Sequence, residues 1–169
     1  DCGSDGLQIP NVKSIKDIDD ILEAMMYPPK GDRGLSIFVK SNNYGGTDIH
    51  DLITQQNNKI LIINLEHEKV LEDLEEISLR KEIDGYFIGL YDLSKSLGLP
   101  GDFQNQKITD WIGRATEIAL KHNKSIGTIV HDENSAKKFI AIGMNYIVYS
   151  VDTNIIRTTY QNFKTKISR

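Results

Sequence analysis

Two acidic side chains close two apolar runs in the same manner. Lys59-Ile60-Leu61-Ile62-Ile63-Asn64-Leu65-Glu66 ends on Glu66 where a polar helical pattern begins, and Gly85-Tyr86-Phe87-Ile88-Gly89-Leu90-Tyr91-Asp92 passes through a glycine turn to Asp92. Hard carboxylate oxygens suit a divalent cation such as Mg2+ or Mn2+, with Co2+ as a further option, and two protein ligands leave positions open for substrate and water. The same placement also suits acids that cap the helices following each strand, Glu66 the one beginning near His67 and Asp92 the turn after it. Position alone allows both.

Acids so placed need strands that alternate with helices, and the periodicity supplies them. Gly6 to Pro10 reads as a short strand, and Ser14 caps a helix with Ile15, Ile18, Ile21, Leu22 and Met25 on one face, stopped by Tyr27-Pro28-Pro29. Residues 30–46, rich in glycine, serine and asparagine, read as a long loop with one extended piece at Leu35 to Val39. A helix from about Thr47 to Gln56 leads into the strand Ile60 to Leu65, and helix 67–79 turns Val70, Leu71, Leu74 and Ile77 inward. The strand Gly85 to Gly89, a loop around Asp92, a helix from about Gln106 and the strand Ile126 to Val130 repeat the rhythm. Helix 133–142, strand 145–150 and a helix from about Thr153 carrying Ile155, Ile156, Tyr160, Phe163 and Ile167 complete it.

Nearly all-apolar strands alternating with helices predict an α/β protein whose parallel sheet is covered on both faces. Periodicity leaves open a doubly wound sheet or part of a closed (β/α)8 barrel, and both put their sites at the carboxyl ends of the strands. Neither G-x-G-x-x-G nor a Walker sequence follows any strand, so no turn is built to cradle phosphates.

At 169 residues and 39% hydrophobic content, residues 1–169 are expected to form one domain. Twenty basic side chains against 24 acidic give a net charge of −4. The bases are dispersed, which argues against a nucleic-acid or anionic-membrane partner and for a small molecule. No stretch approaches the ~18 apolar residues of a membrane span, no secretory pattern opens the chain, and the lone Cys2 has no internal disulfide partner. A soluble, cytoplasmic protein is expected.

Several short segments, weak singly, are specific in this order and spacing. They are Asp1-Cys2-Gly3 leading to Leu7-Gln8-Ile9-Pro10, Tyr27-Pro28-Pro29 with Gly31-Asp32-Arg33-Gly34, and Asn64-Leu65-Glu66. Gly89-Leu90-Tyr91-Asp92-Leu93-Ser94 with Leu97-Gly98-Leu99-Pro100-Gly101, and Ser150-Val151-Asp152-Thr153, complete the set. On them the chain resembles the HpcH/HpaI aldolase and citrate lyase family, metal-dependent lyases of 2-oxo acids, over essentially its whole length. The resemblance implies a (β/α)8 TIM barrel of which this chain covers about strands 4 to 8, the C-terminal two-thirds of a fold that typically needs ~250 residues.

The resemblance further implies that Glu66 and Asp92 hold the metal and that Asn64, Gly89, Tyr91, Asp92 and Ile129 contact the oxo acid. The Tyr91 and Asp92 backbone N–H groups would meet its carboxylate. Asn64 stands where many relatives have glutamine, and Leu90 and Tyr91 replace a common proline and alanine. The family's catalytic histidine and arginine, after its second and third strands, have no counterpart, and His50, His67, His122 and His131 do not match that histidine. Asp1 matches the aspartate that pairs with it. Arg33 is expected either at the active-site mouth, recognising a second carboxylate or a phosphate, or as a structural residue of the long loop.

His131 and Asp132 face the same rim as the two acids, Asp152 reads as a helix N-cap, and Cys2, Met25 and Met26 read as core. The implied activity is reversible aldol cleavage of a 2-oxo acid to pyruvate, or an analogue, plus an aldehyde, in a homo-oligomer that is hexameric by resemblance and exchanges its last helix. A citryl- or malyl-CoA type lyase and a non-catalytic metal- or ligand-binding barrel are the alternatives.

Overall fold

A computed structural model of the chain describes residues 1–168. Its elements are β1 (Gly6–Ile9), α1 (Ile15–Met25), a 3-10 turn at Lys40–Gly45, α2 (Ile49–Gln56), β2 (Ile60–Leu65), α3 (Val70–Ser78), β3 (Gly85–Ile88), α4 (Leu90–Ser96), α5 (Gln106–Lys121), β4 (Ser125–Val130), α6 (Glu133–Ala141), β5 (Tyr146–Tyr149) and α7 (Asp152–Ile167). Side chains set several helix starts. Ser14 and Asp17 form a reciprocal capping box for α1, Asp48 accepts from the N–H groups of His50 and Asp51 to open α2, and Asp132 accepts from Ser135 to open α6.

The strands are all parallel and lie in the order β1-β2-β3-β4-β5. Spatial order that follows chain order has no switch point, which sets the sheet apart from a doubly wound one. Crossovers of one hand then put the helices that connect the strands on the same face. There Leu61, Ile63, Leu65, Ile88 and Ile126 pack against Ile18 of α1, Val70, Leu74 and Ile77 of α3, and Trp111, Ala115 and Ile118 of α5, all buried.

The opposite face is open, where two-sided cover was expected. Along β2 burial alternates with the pleat, so Leu61, Ile63 and Leu65 are buried while Ile60 is 52% exposed and Ile62 and Asn64 are half-buried. Phe87, Ile129 and Val148 on the neighbouring strands are likewise half-buried. A flat sheet would hold β1 and β5 about 19 Å apart, at ~4.8 Å per strand. Instead the Tyr146 hydroxyl of β5 lies 3.5 Å from Gln8 Oε1 of β1. The sheet is therefore curled into a half-barrel with a concave interior.

Several local expectations are corrected. Leu35 to Val39 forms no strand, because bends and then the 3-10 turn follow, and Phe38 is 74% exposed. Asp92 lies in α4 rather than in a loop, because Leu90, Leu93 and Leu97 recur at helical spacing and bury one face. Cys2 is exposed rather than core, whereas Met25 and Met26 are buried. Strand β5 ends at Tyr149, and Ser150 turns the chain into α7 with φ of +50°.

Gly127 of β4 faces its neighbour strand so closely that an added Cβ would overlap the carbonyl oxygen of Tyr146. Backbone is the obstacle, so repacking a side chain brings no relief. Gly127→Ala is expected to lower the stability of the full-length protein by about 2 kcal/mol or more, measured by urea denaturation. Unchanged stability would mean that β4 and β5 are not paired this closely.

Candidate active site

Parallel pairing of β2 with β3 puts Leu65 opposite Ile88. The next residues, Glu66 and Gly89, therefore leave the sheet side by side, and a Cβ on Gly89 would lie 3.0 Å from both Cβ and Oε2 of Glu66. Glycine leaves the space that the Glu66 side chain occupies. Gly89 is also the N-cap of α4, so the chain turns directly into a helix and brings Asp92, in its first turn, to the same place. Both acids line one cavity of about 380 Å³ with Asn11, Lys13, His67, Lys95 and Ser96.

Neither carboxylate is consumed as a helix cap. Helix α3 starts after Lys69 with no side-chain cap, and Glu66 instead accepts from the backbone N–H of Asn11 and from Asn64 Nδ2, the latter at 3.3 Å. Helix α4 likewise has no side-chain cap. Asp92 has no side-chain hydrogen bond or ion pair among the described residues, although Lys95 follows one turn later. The turn after Glu66 is pinned from two sides. Glu68 N–H donates to Ser96 Oγ at 3.0 Å, and the Trp111 indole donates to the Glu68 carbonyl at 3.2 Å.

This donor set fits a small divalent cation. Two hard, charged oxygens stand at adjacent strand ends without a cationic partner, and the cavity around them has room for water and a chelating ligand. Among the described residues no three His, Cys, Asp or Glu side chains converge in a larger cage.

The other expected residues fall into three places. Asn64 is on the concave face, between Glu66 and Gln8. Tyr91 and Ile129 line a separate apolar groove of about 490 Å³ with Leu90, Phe103, His131 and Phe139. The Tyr91 ring stands edge-on to Phe103, with centroids 5.0 Å apart. At the rim of that groove His131 Nδ1 is 3.3 Å from Ser150 Oγ, and the Ser135 N–H holds the Asp132 carboxyl below the usual carboxylate range. Asp152 is the first residue of α7 and not its N-cap, a place that Val151 takes, so that expectation is corrected; its carboxylate accepts from the Thr153 N–H at 2.7 Å.

Asp1 and Arg33 lie elsewhere. They pair at 2.8 Å, with the guanidinium 4.6 Å above the Tyr27 ring, in a cavity lined by Gly6, Leu7, Met25, Gln56 and Lys59 at the amino ends of β1 and β2. Because α1 carries the chain back to that end before Arg33 is reached, the expectation of Arg33 at the mouth of this site is corrected. What the sequence did not single out is the support around Glu66. Asn11, with φ of +62°, aims its N–H at the carboxylate, and its position just after Ile9-Pro10 was a usable signal, since asparagine tolerates left-handed backbone. Lys13, Lys95 and Ser96 share only proximity in space, which spacing does not reveal.

Comparison with known proteins bears on this geometry. The family profile described as "HpcH/HpaI aldolase/citrate lyase" matches residues 1–158. The hydroxypyruvate/pyruvate aldolase of Deinococcus radiodurans is 31% identical, over 98% of this chain and 61% of its own length. The 5-keto-4-deoxy-D-glucarate aldolase of Shigella dysenteriae is 25% identical over 95% of this chain and 62% of its own. The chain thus spans about six-tenths of the curated relatives it matches. The crystal structure of an HpcH/HpaI aldolase/citrate lyase family protein from Burkholderia cenocepacia superposes with a TM-score of 0.88 at 22% identity, over 98% of this chain and 66% of that one. The fold is shared.

Gly89 has φ of −83°, which any residue adopts, so a side chain there acts through its contact with Glu66 alone. Gly89→Ala is expected to weaken Mn2+ binding by the full-length protein about tenfold while its stability falls by no more than about 1 kcal/mol. Titration calorimetry and urea denaturation measure the two. Equal Mn2+ affinity would show that the carboxylate does not rely on this space.

Proposed function

The chain belongs to the HpcH/HpaI aldolase/citrate lyase family, and from that membership we propose that the protein is a metal-dependent class II aldolase. It would be a carbon–carbon lyase that cleaves the aldol of a 2-oxo acid to pyruvate, or a close analogue, plus an aldehyde. The observation that carries this reading is the pair of carboxylates, Glu66 and Asp92, that share one cavity while capping neither helix. The five strands would be the fourth through eighth of an eight-stranded barrel, a reading supported by their sequential order, their curl and the open concave face.

A divalent cation, Mg2+ or Mn2+ with Co2+ also suited, would supply Lewis-acid stabilisation of the negative charge that grows on the keto oxygen as the carbon–carbon bond breaks. Glu66 and Asp92 would hold it. Asn64 would donate a hydrogen bond toward the oxo acid, and the Tyr91 and Asp92 N–H groups, in the first turn of α4, would receive its carboxylate where Gly89 lets backbone come close. The Tyr91 side chain and Ile129 line a groove apart from the cavity of the two acids, so a contact of Ile129 with the oxo acid rests on the resemblance alone. Asp1 and Arg33, at the opposite ends of the strands, take no step on a substrate held by Glu66 and Asp92 of the same chain. Assembly as a homo-oligomer, hexameric by resemblance, is supported by α7, where Ile156 is 56%, Tyr160 73% and Phe163 61% exposed.

Pyruvate methyl-proton exchange isolates the half-reaction. The full-length protein with Mg2+ or Mn2+ is expected to exchange these protons with D2O, followed by NMR, and Glu66→Ala and Asp92→Ala are each expected to lose about 100-fold or more of that rate. Exchange at the parental rate in both variants would remove the aldolase reading.

A further inference from the structure

On the concave face a line of side chains runs from β5 through β1 to β2 and ends on Glu66. The Tyr146 hydroxyl donates to Gln8 Oε1 at 3.5 Å, Gln8 Nε2 donates to Asn64 Oδ1 at 2.9 Å, and Asn64 Nδ2 donates to Glu66 Oε2 at 3.3 Å. Every link points the same way, toward the carboxylate. The Tyr146 ring is itself set edge-on to Phe87, with centroids 5.8 Å apart.

The two ends of a carboxamide have nearly the same shape and opposite hydrogen-bonding roles, so sterics alone do not tell Asn64 which end to turn to Glu66. Turned oxygen-first, it would set one acceptor against another. Turned nitrogen-first, it makes a charge-assisted bond. The acceptor-only carboxylate of Glu66 favours the nitrogen-first setting, and the short contact from Gln8 reinforces it, because a Gln8 N–H engages the Asn64 oxygen and keeps the donor end for the carboxylate. The second Glu66 oxygen is held by the N–H of Asn11, just after β1, so each oxygen has one protein donor and the residue lines the cavity shared with Asp92.

We infer that Gln8 is a positioning residue: it fixes the Asn64 amide with its donor end toward Glu66 and so holds the Glu66 carboxylate in the orientation that grips a divalent cation. This rests on Glu66 being a cation ligand. One consequence concerns the substrate. With one N–H on Glu66, Asn64 keeps a second N–H that a substrate acceptor can meet.

Three variants of the full-length protein test the line, with Mn2+ as the probe and the free-ion electron paramagnetic resonance signal as the readout. Gln8→Leu removes the donor and is expected to raise the Mn2+ Kd about tenfold, the scale found for outer-shell partners. Gln8→Glu keeps the size but offers acceptors only, which draws the Asn64 donor end away from Glu66, and its Kd is expected to rise further than that of Gln8→Leu. Tyr146→Phe keeps the ring against Phe87 and is expected to have the smallest effect. A purely structural role for Gln8 would instead lower stability in step with strand packing and would not order the variants in this way.

In the metal-free protein, hydrogen exchange of the Asn64 side-chain amide, followed by NMR, is expected to be faster in Gln8→Leu than in the parent. A Kd within about twofold of the parent in both Gln8 variants, against the tenfold scale expected, would overturn the inference. Gln8→Glu binding as tightly as the parent would do the same. If the parent itself binds no Mn2+, the ligand role of Glu66 fails on its own account, and unchanged Asn64 exchange in Gln8→Leu then overturns the positioning as well.

Discussion

The site depends on one close approach, the side chain of Glu66 lying against the bare α-carbon of Gly89 where β2 and β3 end. That approach follows from register, and register follows from burial. Sliding β2 by one residue against its neighbours would turn Leu61, Ile63 and Leu65 out of the helix-covered core and the half-buried Ile62 and Asn64 into it. The apolar face of the strand thus determines where its last polar residue emerges. Gly89 leaves room for the acid by its missing side chain, and as the N-cap of α4 it stands where the strand turns into the helix that brings Asp92 beside Glu66.

The two ends of the sheet are built for different ends. At the amino ends of the strands, charges are spent on local ties. Arg33 binds Asp1 and stacks on Tyr27, Lys59 pairs with Asp5, and the Asp84 carboxylate accepts from the Leu61 N–H at 2.8 Å. At the carboxyl ends, Glu66 and Asp92 share a cavity with Lys13 and Lys95 and form no ion pair with either among the described residues. Glu66 accepts instead from the Asn11 N–H and from Asn64 Nδ2, and Asp92 makes no side-chain hydrogen bond among the described residues. Barrels built from parallel strands generally keep stability at the amino ends of the strands and their sites at the carboxyl ends.

Much of this was legible in the sequence because it is carried by local patterns. The strand and helix periods located all five strands, and the two acids stood out because each closes an apolar run at a turn. The resemblance supplied the barrel, which period alone left open, and the sequential strand order with Tyr146 reaching Gln8 decides for the curled sheet. What could not be read depends on how distant segments fold back. Arg33 read equally as a rim residue or a structural one of the long loop until the run of α1 back to the amino ends was in view, and the extended piece at Leu35 to Val39 within that loop forms no strand. Gln8 stood in a strand and in one of the segments that carry the resemblance, but its contact with Asn64 spans 56 positions and was not legible.

The most direct measurement is an anomalous difference map from crystals of the full-length protein grown with Mn2+. A single peak about 2.1 Å from a carboxylate oxygen of Glu66 and from one of Asp92 is the expected result. A peak touching only one of the two, or bound Mn2+ only at other residues, would contradict the central claim that these two acids grip one ion.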